Sequence, residues 1–230
     1  MKIGGLQKTS FIDYPEYISA VVWTVGCNFR CPFCYNKDLV FGRSQLLPEE
    51  EIISFLQKRQ GMIEGVVISG GEPLLQDDLS GFLQKIRKLG FLIKLDTNGS
   101  LPDRLKVLLD DGLVDYVALD VKAPKKKYPS VCGCEVDVSN IQTSMDLIRK
   151  QAPEYEFRTT VVPSLLNKED IIEIAHWIAG AQQWYLQQFK VFPPLVSSEL
   201  EKINAYDRQF FDELIVAVQP FIEKVVVRGL

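Results

Sequence analysis

Histidine is nearly absent from this chain of 230 residues: His176 is the only one. That removes the histidine half of mixed cysteine–histidine zinc knuckles, which need paired imidazoles. Long apolar runs are missing too, and none reaches the roughly 20 residues that a membrane-spanning helix needs. The opening stretch MKIGGLQKTSF lacks the apolar core of a secretory signal, so a cytoplasmic protein is expected. Nor is there a basic surplus. Lysine and arginine total 26 against 30 aspartates and glutamates, a formal net charge of −4 with an isoelectric point near 5.2. Binders of nucleic acid or anionic lipid usually carry a positive footprint, so neither partner is expected. Cysteine is sparse and odd in number, five in all. That argues against a disulfide framework and for a reducing compartment.

What the chain does have is ordinary hydrophobicity and enough length for one well-buried core, so residues 1–230 are read as a single domain. Its most unusual stretch is WTVGCNFRCPFCYN, Trp23 to Asn36. Cys27, Cys31 and Cys34 follow the β-branched run Ile18 to Val25, which reads as a buried strand. The thiols therefore sit in a loop at a strand end, where Gly26 and Pro32 permit and fix a wrap of backbone around one centre. Thiolates select zinc, copper(I) or iron–sulfur clusters. A closed zinc site needs four protein ligands, and no fourth stands near. A four-iron four-sulfur cluster on three cysteines keeps one iron open to a non-protein ligand. The spacing favours that cluster; a zinc site and unligated buried thiols are the other readings.

Beyond the cysteines the chain alternates strand and helix. Strands are predicted at 65–69, 91–95, 114–119, 155–162 and 184–192. Helices open at Pro48, at Asp77 and Asp78, at Pro102, at Ser139 and at Asn167, and Gly61, Gly90, Gly112 and Gly180 supply stops. This rhythm implies an α/β fold with a parallel sheet and helices over its outer face. Every polar cluster falls at a strand's C-terminal end, which predicts a partial barrel of six βα units. The tail, helical from Asp207 to Val218 and extended from Val225 to Val227, is expected to lie across one open edge.

Candidate residues gather at those strand ends. Gly70 and Gly71 let backbone amides and carbonyls approach a ligand; a plain glycine turn is the alternative. Asp96 and Asp120 close neighbouring strands, so a barrel brings two carboxylates together and calls for a cation or a hydrogen-bonding polyol between them. A helix cap or turn acceptor is the bland reading of Asp96. Arg158 lies inside an apolar strand and needs a partner, unless it faces solvent beside Glu156 and Thr160. Cys132 and Cys134 are too few for a second cluster. They are read as incidental, ahead of a redox pair or ligands shared with another chain. Lys125 to Lys127 reads as a solvated loop, or as a docking surface for an acidic electron donor. His176 reads as structural.

GCNFRCPFCYN, followed by Gly70-Gly71-Glu72-Pro73 and Asp96-Thr97-Asn98-Gly99, resembles the radical S-adenosylmethionine (radical SAM) superfamily. Within it, the opening KTSFIDYPEYISAVVWTV is similar to the activating proteins of anaerobic ribonucleoside-triphosphate reductase, relatives of the pyruvate formate-lyase activating enzyme. The likeness runs from about Gly4 to the strand near Phe192. It implies a partial (βα)6 TIM-like barrel, a four-iron four-sulfur cluster on Cys27, Cys31 and Cys34, and S-adenosylmethionine chelating the fourth iron. It also implies that Gly70, Gly71 and Glu72 hold the methionyl amino group and that Lys122 or Arg158 engages the carboxylate. Phe33 would touch adenine, and Asn98 would belong to the cofactor site. A monovalent cation on Asp96, Thr97 and Asp120 is implied beside the cofactor. The implied activity is reductive cleavage of S-adenosylmethionine to a radical that takes hydrogen from a backbone glycine of the reductase, with flavodoxin or ferredoxin as one-electron donor. No cysteine lies between Tyr35 and Gly70, which matches members without an inserted ferredoxin-like module. Tyr35 itself stands where relatives often carry histidine. Other readings are an activase of a different glycyl-radical enzyme, a radical enzyme with a small-molecule substrate, and a zinc-binding interaction module.

Overall fold

Eight strands form one sheet whose order follows the chain in the computed structural model, which describes residues 1–230. They are β1 (Ile3–Ser10), β2 (Ser19–Thr24), β3 (Gly65–Gly70), β4 (Leu92–Thr97), β5 (Tyr116–Asp120), β6 (Glu154–Val161), β7 (Gln183–Gln188) and β8 (Lys224–Arg228). β2 to β8 run parallel, and β1 pairs antiparallel with β2. No ladder joins β8 to β1, so the barrel is open. Helices fill every crossover: α1 (Lys37–Val40) and α2 (Glu49–Gln57), α3 (Leu79–Lys88), α4 (Pro102–Asp110), α5 (Tyr128–Cys132) and α6 (Val138–Gln151), α7 (Lys168–Trp177) and α8 (Arg208–Val218). The six expected βα units are present in order. No helix is long and apolar enough to cross a membrane.

Three details depart from expectation. The extended tail does not cross the edge but joins it, because β8 pairs along β7 from Gln183↔Lys224 to Gln187↔Arg228. A free parallel edge offers unpaired amides and carbonyls, and the β-branched run Val225 to Val227 is suited to take them. β1 went unpredicted because IGGLQKTS carries two glycines and no clean alternation. Helix α6 is capped by Asp137, whose Oδ1 accepts from the Ser139 amide at 2.9 Å, rather than by Ser139. Asp137 stands just outside the helix, where its carboxylate can take a first-turn amide, whereas Ser139 already lies within it.

Alternation along each strand separates two faces. Outward, Val22, Ile68, Ile93, Leu95, Val117 and Phe157 are fully buried in the main core with Leu83, Ile86, Leu105, Ile148 and Ile174 of the helices. Inward, Val21, Val67, Tyr116 and Ala118 form a smaller cluster under Tyr14, whose ring meets that of Tyr116 at 5.9 Å. Toward the strands' C-terminal ends the inner face turns polar. Nearer the start of β6, Glu156, fully buried, accepts from both terminal nitrogens of Arg228 at 3.1 and 3.0 Å and from the Tyr116 hydroxyl at 2.9 Å. This ties the edge strand β8 to β5 and β6.

Arg228→Ala is expected to destabilise the metal-free protein by about 1–3 kcal/mol, since it strips a buried carboxylate of its main partner. The arginine side chain is 32% exposed, so water offsets part of the cost. Glu156→Gln in that background should recover part of the loss. Urea unfolding under anaerobic conditions measures both, and an unchanged midpoint in Arg228→Ala would show that the tie contributes nothing.

Candidate functional site

Strand register brings the motif loops into contact. Thr24 pairs with Gly70 at the ends of β2 and β3, which sets the cysteine loop directly over the Gly70–Pro73 turn. The Gly71 amide donates to the Thr24 carbonyl at 2.9 Å and the Glu72 amide to the Gly26 carbonyl at 2.8 Å. A Cβ on Gly71 would lie 2.0 Å from the Gly26 carbonyl oxygen, and Gly70 adopts φ +122 with its Cβ direction 2.3 Å from the Thr24 nitrogen. Glycine is therefore required here for one loop to lie on another, a more immediate demand than approach to a ligand.

Glu72 is buried, and both of its oxygens accept hydrogen bonds. Oε1 accepts from the Leu74 amide at 3.1 Å and the Thr97 hydroxyl at 2.8 Å, and Oε2 from the Asn98 amide at 2.7 Å. Asn98 in turn donates to Asn28 Oδ1 at 2.9 Å, and Asn28 donates to Ser100 Oγ at 2.8 Å. Three loops from β2, β3 and β4 are thus knotted together. Burial pushes the Glu72 carboxyl up to about 7 even though its three donors pull it down. Glu72 thus ties the three loops together while it borders the cavity.

Next to this knot lies a row of charges. Arg158 Nε donates to Asp120 Oδ1 at 2.8 Å, and its Nη1 lies 3.3 Å from Asp96 Oδ1. Asp96, Ala118 and Glu156 share one level of the sheet, and the small Ala118 side chain leaves room for the guanidinium to reach across. Lys94 donates to Asp96 at 2.5 Å and Lys122 to Asp120 at 2.8 Å. Burial works to raise both carboxyls, yet Arg158 with Lys94 holds Asp96, and Arg158 with Lys122 holds Asp120, below the usual carboxylate range. Burial likewise opposes the Lys122 ammonium, and Asp120 keeps it above its ordinary value. The two carboxylates do come together as expected. Three cations of the chain, Arg158, Lys94 and Lys122, face them, and the Thr97 hydroxyl donates to Glu72 while its oxygen accepts from the Gly99 amide. Arg158 faces the site, not solvent.

Cys27, Cys31 and Cys34 line one cavity of about 880 Å³ together with Phe33, Gly70, Gly71, Glu72, Asp96, Asn98, Asp120, Lys122 and Arg158. Every residue singled out as cofactor-binding therefore borders the same space. The loop is held by Arg30, which folds back to donate to the carbonyls of Cys27 and Phe29 at 2.5 and 2.8 Å. Burial pushes the Cys27 thiol up to about 12 and raises Cys34, so metal binding must displace their protons. No three histidine, cysteine, aspartate or glutamate side chains close around a point that a single ion would fill. Three thiols on one cavity wall, with no histidine beside them, are the soft donors that an iron–sulfur cluster takes. The donors fit a cluster.

Several lining residues escaped the sequence reading. Thr160, Gln187 and Arg228 complete the wall; Thr160 was legible from its period-two relation to Arg158, whereas Arg228 lies past the end of the resemblance. Asn28 and Ser100 carried no signal beyond polarity. Lys127 pairs with Asp170 at 2.7 Å and Lys125 lies 5.0 Å over the Trp177 ring, while Lys126 is exposed. His176, exposed, rests 4.1 Å from the Phe221 ring as a surface contact.

The family model of the Radical SAM superfamily matches residues 21–178, a span that runs from β2 through α7 and holds the three motif loops. The chain belongs to the radical SAM superfamily. As a radical SAM enzyme it uses a four-iron four-sulfur cluster and S-adenosylmethionine; Cys27, Cys31 and Cys34 are the free thiols that line the cavity. A Methanocaldococcus jannaschii protein with the provisional name glycyl-radical enzyme activating enzyme is 34% identical over 236 residues, covering 99% of this chain and 96% of that protein. GTP 3′,8-cyclase of Aquifex aeolicus is 39% identical over 109 residues, covering 44% of this chain and 34% of the cyclase. Among solved structures, Streptococcus suis SuiB bound to S-adenosylmethionine superposes with a TM-score of 0.70 at 15% identity over 89% of this chain, which spans about half (48%) of SuiB. A domain of pyruvate-formate lyase-activating enzyme from Bacteroides vulgatus gives a TM-score of 0.56 at 15% identity, covering 72% of this chain and 99% of that domain. These two likenesses concern the fold.

A pH dependence follows from Glu72. With the folded carboxyl near 7 and its ordinary value at 4.5, the radical SAM chain retains a proton between those values that the unfolded chain has released. Stability should therefore fall as pH rises through that window, by roughly 3 kcal/mol at most. Asp96 and Asp120, held low, change below it. Glu72→Gln is expected to flatten the decline in anaerobic urea unfolding; an identical slope in the variant would exclude Glu72 as its source.

Proposed function

We propose that this protein activates a glycyl-radical enzyme, the anaerobic ribonucleoside-triphosphate reductase, by removing a hydrogen atom from one backbone glycine. The observation that carries the reading is the end-to-end match to the M. jannaschii activating enzyme, 34% identical over 99% of this chain. The open barrel supports it. The cavity is bordered from both free edges, by Gln7 of β1 and by Arg228 and Gly229 at the end of β8, a gap through which a loop of another protein can reach the thiol wall.

Cys27, Cys31 and Cys34 would hold three irons, leaving the fourth for the amino and carboxylate groups of S-adenosylmethionine. When bound, this pair supplies one-electron reductive cleavage of a sulfonium and a radical able to abstract hydrogen. The remaining work is done by the chain. Lys122 and Arg158, kept cationic by Asp120, present donors where a carboxylate would lie. Phe33, with the Lys122 ammonium 5.9 Å from its ring, offers a face for adenine. Val21 and Trp23 wall the cavity against water. Glycine suits the target role because it has no side chain to obstruct approach. A flavodoxin or ferredoxin would deliver the electron.

A second reading, a radical enzyme acting on a small polar molecule, is favoured by the polar inner wall of Thr160, Gln187 and Arg228. Anaerobic incubation with reductant, S-adenosylmethionine and the reductase separates the two. The activase reading expects a glycyl-radical signal by electron paramagnetic resonance, growing in step with deoxyadenosine. Deoxyadenosine without that signal would favour the small-molecule reading. Cys34→Ala should abolish both products while leaving the circular dichroism of the chain intact, and retained turnover would overturn the ligand assignment.

A further inference from the structure

Three inward side chains of the last strands stand in one row. The register pairs Thr160 of β6 with Gln187 of β7, and Gln187 with Arg228 of β8, so all three lie at a single level of the sheet. Each of them borders the cavity. Paired strands lie about 4.8 Å apart, so the wall offers a polar group at each such step.

This row has hydrogen-bonding capacity to spare and little net charge. Thr160 Oγ1 donates to Gln187 Oε1 at 3.4 Å, which leaves the Gln187 amide nitrogen with no acceptor in the chain. Arg228 stacks over Tyr185, 3.4 Å from the ring centroid, and gives both terminal nitrogens to Glu156. Its side chain is still 32% exposed, so the other guanidinium hydrogens remain open to the cavity. Because Glu156 balances the charge of Arg228, the row lacks the cationic surplus that recognition of a phosphate or free carboxylate calls for. Neutral amides, which both give and accept hydrogen bonds, match it.

The rim of the same cavity has the opposite character. Ile12 is 81% exposed, and Tyr35 and Phe192, whose rings meet edge-on at 6.0 Å, are 59% and 58% exposed. Exposed apolar side chains grouped around an opening mark a surface that another macromolecule covers. A polypeptide brings side chains for the rim and a backbone for the row, whereas a small polar molecule would satisfy the row alone. Glycine, moreover, can be held only by its backbone, since it has no side chain to grip.

We propose that Thr160, Gln187 and Arg228 form a binding row for the backbone amides on either side of the target glycine, while Ile12, Tyr35 and Phe192 receive the side chains that flank it. The inference rests on the activase reading and gives it a substrate subsite.

The test uses the full chain, loaded anaerobically with iron and sulfide and supplied with reductant, S-adenosylmethionine and the reductase. Glycyl-radical formation, followed by electron paramagnetic resonance against reductase concentration, is compared for wild type, Gln187→Leu and Thr160→Val. Gln187→Leu should raise KM for the reductase about tenfold, and Thr160→Val, which exchanges a hydroxyl for a methyl of similar size, about threefold, with kcat changed less than KM. A short blocked peptide spanning the reductase glycine then asks what the row reads. Replacing the amides beside its glycine by esters should weaken binding to the wild type about tenfold by calorimetry, and binding to Gln187→Leu far less. An unchanged KM in both variants overturns the proposal, as does an ester replacement that costs Gln187→Leu as much as the wild type. If Gln187→Leu does not fold, Thr160→Val carries both comparisons. Deoxyadenosine without a glycyl radical from the wild type would remove the activase reading and this row's assignment together. Radical formation at the wild-type KM by both variants would remove the row alone.

Discussion

Glu72 sits where three loops from three strand ends meet, and the oxygens of its buried carboxylate accept from Leu74, Thr97 and Asn98. The cysteine loop reaches this knot through Asn28 and Asn98, and the backbone contact of Gly71 on Gly26 closes it from the other side. Loops usually move more than the elements they join. Here the thiols are held on a loop whose neighbours are cross-linked to it, which is what a site must have to present three sulfurs to one cluster. Burying a carboxylate in this way is costly, as the raised Glu72 value shows, and the cost falls on stability rather than on the chemistry.

The charge row beside the knot solves a related problem. Asp96 and Asp120 by themselves would repel, and Arg158, Lys94 and Lys122 alone would be stranded in a partly dry cavity. Together they satisfy one another. The inner face thereby holds fixed charges without needing water to solvate them, and it does so where the parallel strands end. That placement follows from topology: in sheets of this kind the functional groups collect at the strands' C-terminal ends.

Much of this was legible in the chain. The βα rhythm, the open barrel and the three-cysteine loop follow from periodicity, glycine stops and thiol spacing, and the candidate residues border a single cavity. What escaped is instructive. β1 lacks alternation because its glycines make room for the Leu39 and Trp23 side chains instead of contributing their own. β8 was seen as extended but not as a sheet member, since pairing partners are a tertiary fact. The partners of Arg158 and the role of Glu72 depended on which side chain reached which first. Cys132, read as incidental, lies against the cysteine loop, its carbonyl accepting from the Arg30 amide, because a crossover helix folds back over the loop, and no local pattern announces that.

The central claim is that three thiols of one cavity wall carry a four-iron cluster with one iron left to bind S-adenosylmethionine. Mössbauer spectroscopy of the anaerobic protein, loaded with isotopically enriched iron, addresses it directly. About four irons per chain are predicted, with one iron site changing its spectrum when S-adenosylmethionine is added. A chain that holds a single zinc, or a cluster whose iron sites all ignore S-adenosylmethionine, would contradict it.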